Sequence, residues 1–157
     1  MTNLIGPIPP LKGDCLTTTN NGQGLNATLA NVQDGNGINS SILLSTQAFQ
    51  FTGAFISHRT AVTVTPYSVL STDYIVAVTV NAAGVTINLP APSAQNVGQI
   101  FIVQDEVGNA GIHPITVQVT GGANINGSAT LVMVNNYCSA TFYNNGTNYF
   151  MISKQIV

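Results

Sequence analysis

Val85-Thr86-Ile87-Asn88-Leu89 alternates apolar and polar residues at every step. Successive side chains of a strand point to opposite faces, so Val85, Ile87 and Leu89 share one face and Thr86 and Asn88 the other. Ile115-Thr116-Val117-Gln118-Val119 repeats the pattern. Both runs fit a sheet with one buried face and one wet face. Outward from them, segments rich in Val, Ile, Thr, Tyr and Phe recur roughly every 10 residues. They predict strands over residues 61–65, 72–80, 84–89, 99–104, 115–119, 130–134, 137–143 and 148–152. Turn clusters separate them, among them Asn81-Ala82-Ala83-Gly84, Pro90-Ala91-Pro92, Gly108-Asn109-Ala110-Gly111, Gly121-Gly122 and Asn135-Asn136. Asn145-Gly146 between two alternating runs is a hairpin signal. The fold class this predicts is all-β: an antiparallel β-sandwich or jelly-roll-like domain over residues 61–157.

Residues 1–60 read differently. Gly6-Pro7-Ile8-Pro9-Pro10 favours an extended path, because proline fixes φ and blocks helix. A polar stretch follows, and then short apolar pieces around Leu25–Val32, Ile42-Leu43-Leu44 and Phe49-Gln50-Phe51, with Asp34-Gly35-Asn36-Gly37 as a turn. Leu25 and Leu29 sit at helical spacing, which leaves a turn or two of helix as the alternative. The region is expected to be an extended N-terminal arm with short strands, whose apolar side another chain or domain covers.

Some strands are apolar on both faces: Tyr74-Ile75-Val76-Ala77-Val78, Ile100-Phe101-Ile102-Val103 and Leu131-Val132-Met133-Val134. A two-layer sandwich buries one face of each sheet, so the second face needs cover. A sister copy would supply it, at roughly 1.5–3 kcal/mol for each Val, Leu or Ile buried, with the N-terminal region of the same chain as the alternative cover. The residues therefore predict a homo-oligomer.

Charge supports the same expectation. Charged residues make up 5% of the 157-residue chain, and the net charge is −2, against about 25% charged in a typical domain. Little repulsion separates copies of such a chain. No basic stripe exists to neutralise phosphates, which argues against nucleic acid. No apolar run approaches the ~20 residues of a membrane-spanning helix, and Met1–Pro10 lacks the pattern of a secretory signal. Cys15 and Cys138 lie far apart; a disulfide between them is possible, but two free thiols in a chain made in the cytosol are the favoured reading.

Catalytic constellations are scarce. Ser57, His58 and Asp73 carry the residue types of a nucleophilic triad, but neighbours on a strand face opposite ways. Asp105-Glu106 and Asn109 offer oxygen atoms without the spacing of a calcium loop. Asp73 and Asp105 would need to stand about 5–9 Å apart to act as a glycosidase pair. The two Cys and two His lack zinc-ligand spacing. No catalytic, metal or cofactor site is expected. Tyr143, Asn145 and Tyr149 near the last hairpin are the candidates for a glycan contact, with cross-strand packing and turn formation as the structural alternative.

The runs Val85–Leu89 with Pro90, Gly98-Gln99 opening Ile100-Phe101-Ile102-Val103-Gln104-Asp105, then Gly108-Asn109-Ala110-Gly111, together resemble a module of phage fibre and capsid-decoration proteins. So do Pro114-Ile115-Thr116-Val117, Ile125-Asn126-Gly127-Ser128 and the closing Tyr143-Asn144-Asn145-Gly146-Thr147-Asn148-Tyr149. The match covers about residues 72–153. Asp34-Gly35-Asn36-Gly37 and Leu43-Leu44-Ser45-Thr46 resemble segments that precede such modules in trimeric fibres. The resemblance implies a homotrimer on the outer capsid surface of a virion. The short length and absent shaft favour a capsid decoration (cement) or short head-fibre protein over a long tail fibre. Ile5, Pro7, Ile8, Pro9 and Leu11 are then the residues expected to dock on the major capsid protein or another virion component. The alternative is a receptor-binding fibre tip or adhesin that recognises a host surface glycan. A depolymerase is a further one.

Overall fold

A computed structural model describes residues 17–18, 25–33 and 38–155. Ile5, Pro7, Ile8, Pro9, Leu11, Cys15 and the Asp34–Gly37 turn lie outside the described residues. Those described form strands and two short 3-10 turns, with no α-helix. Residues 25–29 are irregular rather than helical. The chain is all-β and divides into two compact units, one ending at Ile56 and the other spanning Ser57–Val157.

In the first unit, β1 (Thr17–Thr18), β2 (Ala30–Gln33), β3 (Asn39–Leu44) and β4 (Phe49–Phe51) pair antiparallel in that order. Ser45 shapes the β3–β4 turn, its Oγ accepting from the Gln47 and Ala48 N–H groups at 3.2 and 2.9 Å. Val32 is the one buried hydrophobic among the unit's described residues.

The second unit holds β5 (Arg59–Val62), β6 (Tyr67–Ser68), β7 (Ile75–Val78), β8 (Val85–Leu89), β9 (Ile100–Asp105), β10 (Ile115–Val119), β11 (Thr130–Met133), β12 (Ser139–Asn144) and β13 (Tyr149–Gln155). They form two sheets, ordered β13-β12-β9-β7-β5 and β11-β10-β8-β6. From β5 to β10 the chain alternates between the sheets at every connection. A strand that returns to its own sheet has completed a full coil and runs the same way as before. The pairs β5–β7, β7–β9, β6–β8 and β8–β10 are accordingly parallel. This corrects the antiparallel expectation. Alternating apolar residues report which face is buried, and they are the same for either strand direction. Here the crossover that parallel pairing needs is itself a strand in the opposite sheet. Antiparallel pairing is confined to β10–β11, β9–β12 and β12–β13, where the chain closes the stack.

Each of the eight expected strands has a counterpart, and β6 is additional. Pro66, which removes a donor, hides β6 from a reading by propensity. The β12–β13 hairpin turns at Asn145-Gly146, with Gly146 at φ +93°.

One apolar cluster lies between the two sheets. Val62, Val76, Val78, Phe101, Val103, Ala140, Phe142 and Tyr149 come from the five-stranded sheet, and Val85, Ile87, Leu89, Ile115, Val117 and Met133 from the other. Tyr149 packs its ring 6.1 Å from that of Phe101, and its hydroxyl is buried without a hydrogen-bond partner. Burial pushes the Tyr149 phenol up to about 12. Tyr67 is also raised to about 12, first by burial and then by its hydrogen bond to the Asp73 carboxylate.

These shifts predict an alkaline limit. A tyrosine whose folded pKa exceeds the ordinary 10 stabilises the fold fully below pH 10 and loses that contribution as pH rises toward 12. For fully buried Tyr149 the loss amounts to roughly 2–3 kcal/mol. Tyr149→Phe removes both the titration and an unpaired buried hydroxyl, and should stabilise the protein by about 1 kcal/mol at neutral pH. It should also extend the stable range above pH 10. Tyr67→Phe strips a donor from Asp73 and should destabilise by about 1–2 kcal/mol. Urea denaturation at pH 7 and pH 10.5 measures both.

Candidate interaction surface

The side chains that turn away from the core give the two sheets opposite outer faces. On the four-stranded sheet, Ser68, Asn88 and Gln118 stand in register. Gln118 Nε2 donates to Asn88 Oδ1 at 2.7 Å, and Asn88 Nδ2 reaches Ser68 Oγ at 3.5 Å. Thr86 and Thr116 form the adjoining row, which ends at exposed Val132. This face is largely polar, and its amides bond along the ladder.

The outer face of the five-stranded sheet is apolar at its β12–β13 hairpin end and carries Gln104, Ser139, Thr141 and Ser153 toward the other end. Ile100, Tyr143 and Phe150 are aligned across β9, β12 and β13. The Tyr143 and Phe150 rings stack, with centroids 5.6 Å apart and planes inclined at 27°. Each ring is 36% exposed. Ile75 and Ile102 pair in the next row, both half-buried. Ile152 occupies the bulge opposite Thr141 and Phe142 and is 58% exposed. Arg59 and Glu106, at the margin, form an ion pair through two hydrogen bonds, Arg59 Nε to Glu106 Oε1 at 2.9 Å and Arg59 Nη2 to Glu106 Oε2. The bonded guanidinium holds the Glu106 carboxyl below its ordinary range, and the carboxylate raises Arg59 in turn. Among the described residues, no uncompensated charge stands on this face.

The buried carboxylates are structural acceptors. Asp73 accepts from Thr60 Oγ1 at 2.5 Å, Tyr67 Oη at 2.8 Å and the Leu70 N–H at 2.8 Å, tying β5, β6 and the turn into β7 together. His58 Nδ1 lies 3.9 Å from the same carboxylate, on a largely exposed ring. Asp73 Oδ1 accepts one of these bonds and Oδ2 two, and His58 Nδ1 stands beyond hydrogen-bond distance of Oδ1. Asp105, fully buried, accepts five backbone N–H bonds. Val107 and Gly108 donate to Oδ1 at 3.1 and 3.0 Å, and Asn109, Ala110 and Tyr137 to Oδ2 at 3.0, 3.1 and 3.1 Å. Gly108 is required there: its φ is +76°, and a Cβ would collide with the Tyr137 ring. A carboxylate so surrounded by donors presents no lone pairs to a calcium ion. Asp73 precedes β7 and Asp105 pairs with Val78 at its far end, a separation of roughly 16 Å along the strand. They do not form a carboxylate pair.

The glycan candidates separate. Tyr143 lies on the open apolar face. Asn145 is exposed at the hairpin tip, its Oδ1 accepting from the Thr147 and Asn148 N–H groups at 3.0 and 2.8 Å. Tyr149 is fully buried in the core, which removes it from any surface site. The reason is register: Tyr143 pairs with Phe150, so Tyr149, one residue away, must point inward. Phe150 is the ring that sequence reading missed. Cys138 is a buried free thiol whose pKa burial pushes up, away from reactivity. Among the described residues, no helix is long and apolar enough to cross a membrane.

No protein-family model matches the chain, and no curated protein is similar to it.

The Asp105 arrangement predicts a large effect from a small change. Asp105→Ala leaves five backbone donors without their acceptor, several of them deeply buried. At about 1–3 kcal/mol for each buried group left unpaired, a loss of at least 3 kcal/mol is expected in urea denaturation. Asp105→Asn keeps one carbonyl acceptor and should fall between wild type and Asp105→Ala.

Proposed function

We propose that this chain is a structural virion protein: a homotrimeric capsid decoration (cement) or short head-fibre protein on the outer capsid surface. One observation carries the reading. The outer face of the five-stranded sheet carries an apolar patch at its β12–β13 hairpin end, its marginal ion pair is self-neutralised, and the opposite sheet's outer face is largely polar. Such a face favours contact with an equally uncharged surface, and a sister copy provides one. The two sheets around one core are read as a sandwich coiled by parallel pairing, and each knob sets its Tyr143–Phe150 face against the next. Asp73 and Asp105 are occupied as acceptors, which supports a non-enzymatic role. The resemblance of residues 72–153 to phage decoration and fibre modules supplies the virion setting.

A receptor-binding fibre tip is the second reading. An exposed stacked pair, Tyr143 and Phe150, beside the Asn145 hairpin has the chemistry to stack on a sugar ring.

Native mass measurement tests the assembly. The full chain should appear at three times its 16.3 kDa mass. A Tyr143→Asp/Phe150→Asp chain should trimerise at least tenfold more weakly. A dilute monomer in wild type would sink the reading. Deleting residues 1–12 should leave the trimer intact and abolish binding to capsids that lack the protein; a truncated chain that still decorates them would exclude the arm as anchor. Binding to a glycan array that Phe150→Asp eliminates, in a chain that ignores capsids, would favour the fibre tip.

A further inference from the structure

The N-terminal unit has a surface that the knob does not explain. Its strands alternate so that one face of the sheet carries Ala30, Val32, Ile42, Leu44, Phe49 and Phe51, and the other Asn31, Gln33, Ser41, Leu43 and Gln50. The register aligns Leu44 with Phe49 and Ile42 with Phe51. The rings of Phe49 and Phe51 meet edge to face at 5.4 Å. Despite this patterning the apolar face is open: Phe49 is 66% exposed, Phe51 43% and Ile42 38%. Amphipathic sheets gain their stability by burying that face against another layer. The described part of this unit buries only Val32.

We propose that this face is a second assembly seam, at which copies of this chain pack their N-terminal sheets against one another. The proposal rests on the homo-oligomeric reading above and adds the surface that holds the N-terminal units together. Two observations select a second copy as the occupant. First, none of the described residues before Ser57 is charged. Among the described residues a charged partner would find nothing to pair with, whereas an identical face brings none of their charges into contact unpaired. Second, the open parts of Phe49, Phe51 and Ile42 amount to about 300 Å² per chain, taking roughly 200 Å² for a whole aromatic side chain. That is a sizeable apolar centre within the ~800 Å² each partner gives to a standard interface. The neutral amides and hydroxyls around it suit a polar rim.

Cysteine cross-linking of the full-length protein in a Cys15→Ser background, in which the remaining Cys138 is buried, tests this directly. Phe51→Cys lies on the proposed seam and Gln50→Cys on the opposite face of the same strand. Mild oxidation should link chains through Phe51→Cys at least tenfold more efficiently than through Gln50→Cys. A Phe51→Cys chain that keeps its strand signal in circular dichroism but dissociates at least tenfold more readily would also support the seam. If wild type is oligomeric and the Phe51→Cys oligomer persists without cross-linking, the seam is wrong while the assembly reading stands. Protection of the Phe51→Cys thiol from a water-soluble maleimide without interchain bonding would mean that the same chain covers the face, and would overturn the proposal. Monomeric wild type would overturn both.

Discussion

Everything outside the second unit's core follows from the seam between its two sheets. A strand has only two faces, so each residue either enters the shared cluster or stands on an outer surface. Ile87, Leu89, Phe101 and Phe142 enter, all fully buried. Their neighbours are thereby committed to the outside, whatever their polarity. On β8 and β10 those neighbours are Thr86, Asn88, Thr116 and Gln118, and the exterior is wet. On β9, β12 and β13 they include Ile100, Ile102, Tyr143 and Phe150, and the exterior is apolar at the hairpin end of the sheet. The apolar patch on one face is thus a consequence of the same alternation that closes the core.

The seam also explains why so few charges suffice. Two of the five acids are spent inside the structure. A buried carboxylate is tolerable only when donors surround it. Asp105 collects five backbone N–H groups that no strand partner satisfies, from the loop after β9 and the turn before β12. Asp73 performs a similar task for the first coil. Each carboxylate substitutes for secondary structure at a corner where the chain changes sheet. The hydrogen-bond partners of both carboxylates make them staples for these corners.

Much of this was legible in the residues. Alternation located eight of the nine strands of the second unit, and Asn145-Gly146 located its last hairpin. Strand direction was not legible, because inward–outward patterning is indifferent to it. The coil through the opposite sheet is a property of connection geometry that Val85–Leu89 cannot encode by itself. β6 was hidden by Pro66 and by its two-residue length. The site was half legible: doubly apolar runs at Ile75 and Ile100–Val103 flagged an exterior needing cover. Tyr149 was misplaced because an aromatic near a hairpin tip carries no sign of which face it takes until the register is known. Counting from the Asn-Gly turn, with Tyr143 outward, would have turned Tyr149 inward and Phe150 out. The run Asp105 to Ala110 held a signal too, since an Asp followed by a glycine three residues on suits a carboxylate capping its own loop.

A chain with so little charge faces a particular difficulty in assembly. Proteins that remain monomeric at high concentration rely on net charge and on charged edges to keep copies apart. This one separates its surfaces instead by polarity: amide and hydroxyl ladders on one side, isoleucines and stacked rings on another, and an amphipathic sheet before them. Neutral polar ladders are satisfied along their own length and gain little from a neighbour, while the apolar faces gain from any neighbour of like character. Any contact made there would take its specificity from shape and register, such as the Ile152 bulge and the inclined Tyr143–Phe150 stack, rather than from charge. Contacts of that kind are insensitive to salt, because there is almost nothing for counterions to screen.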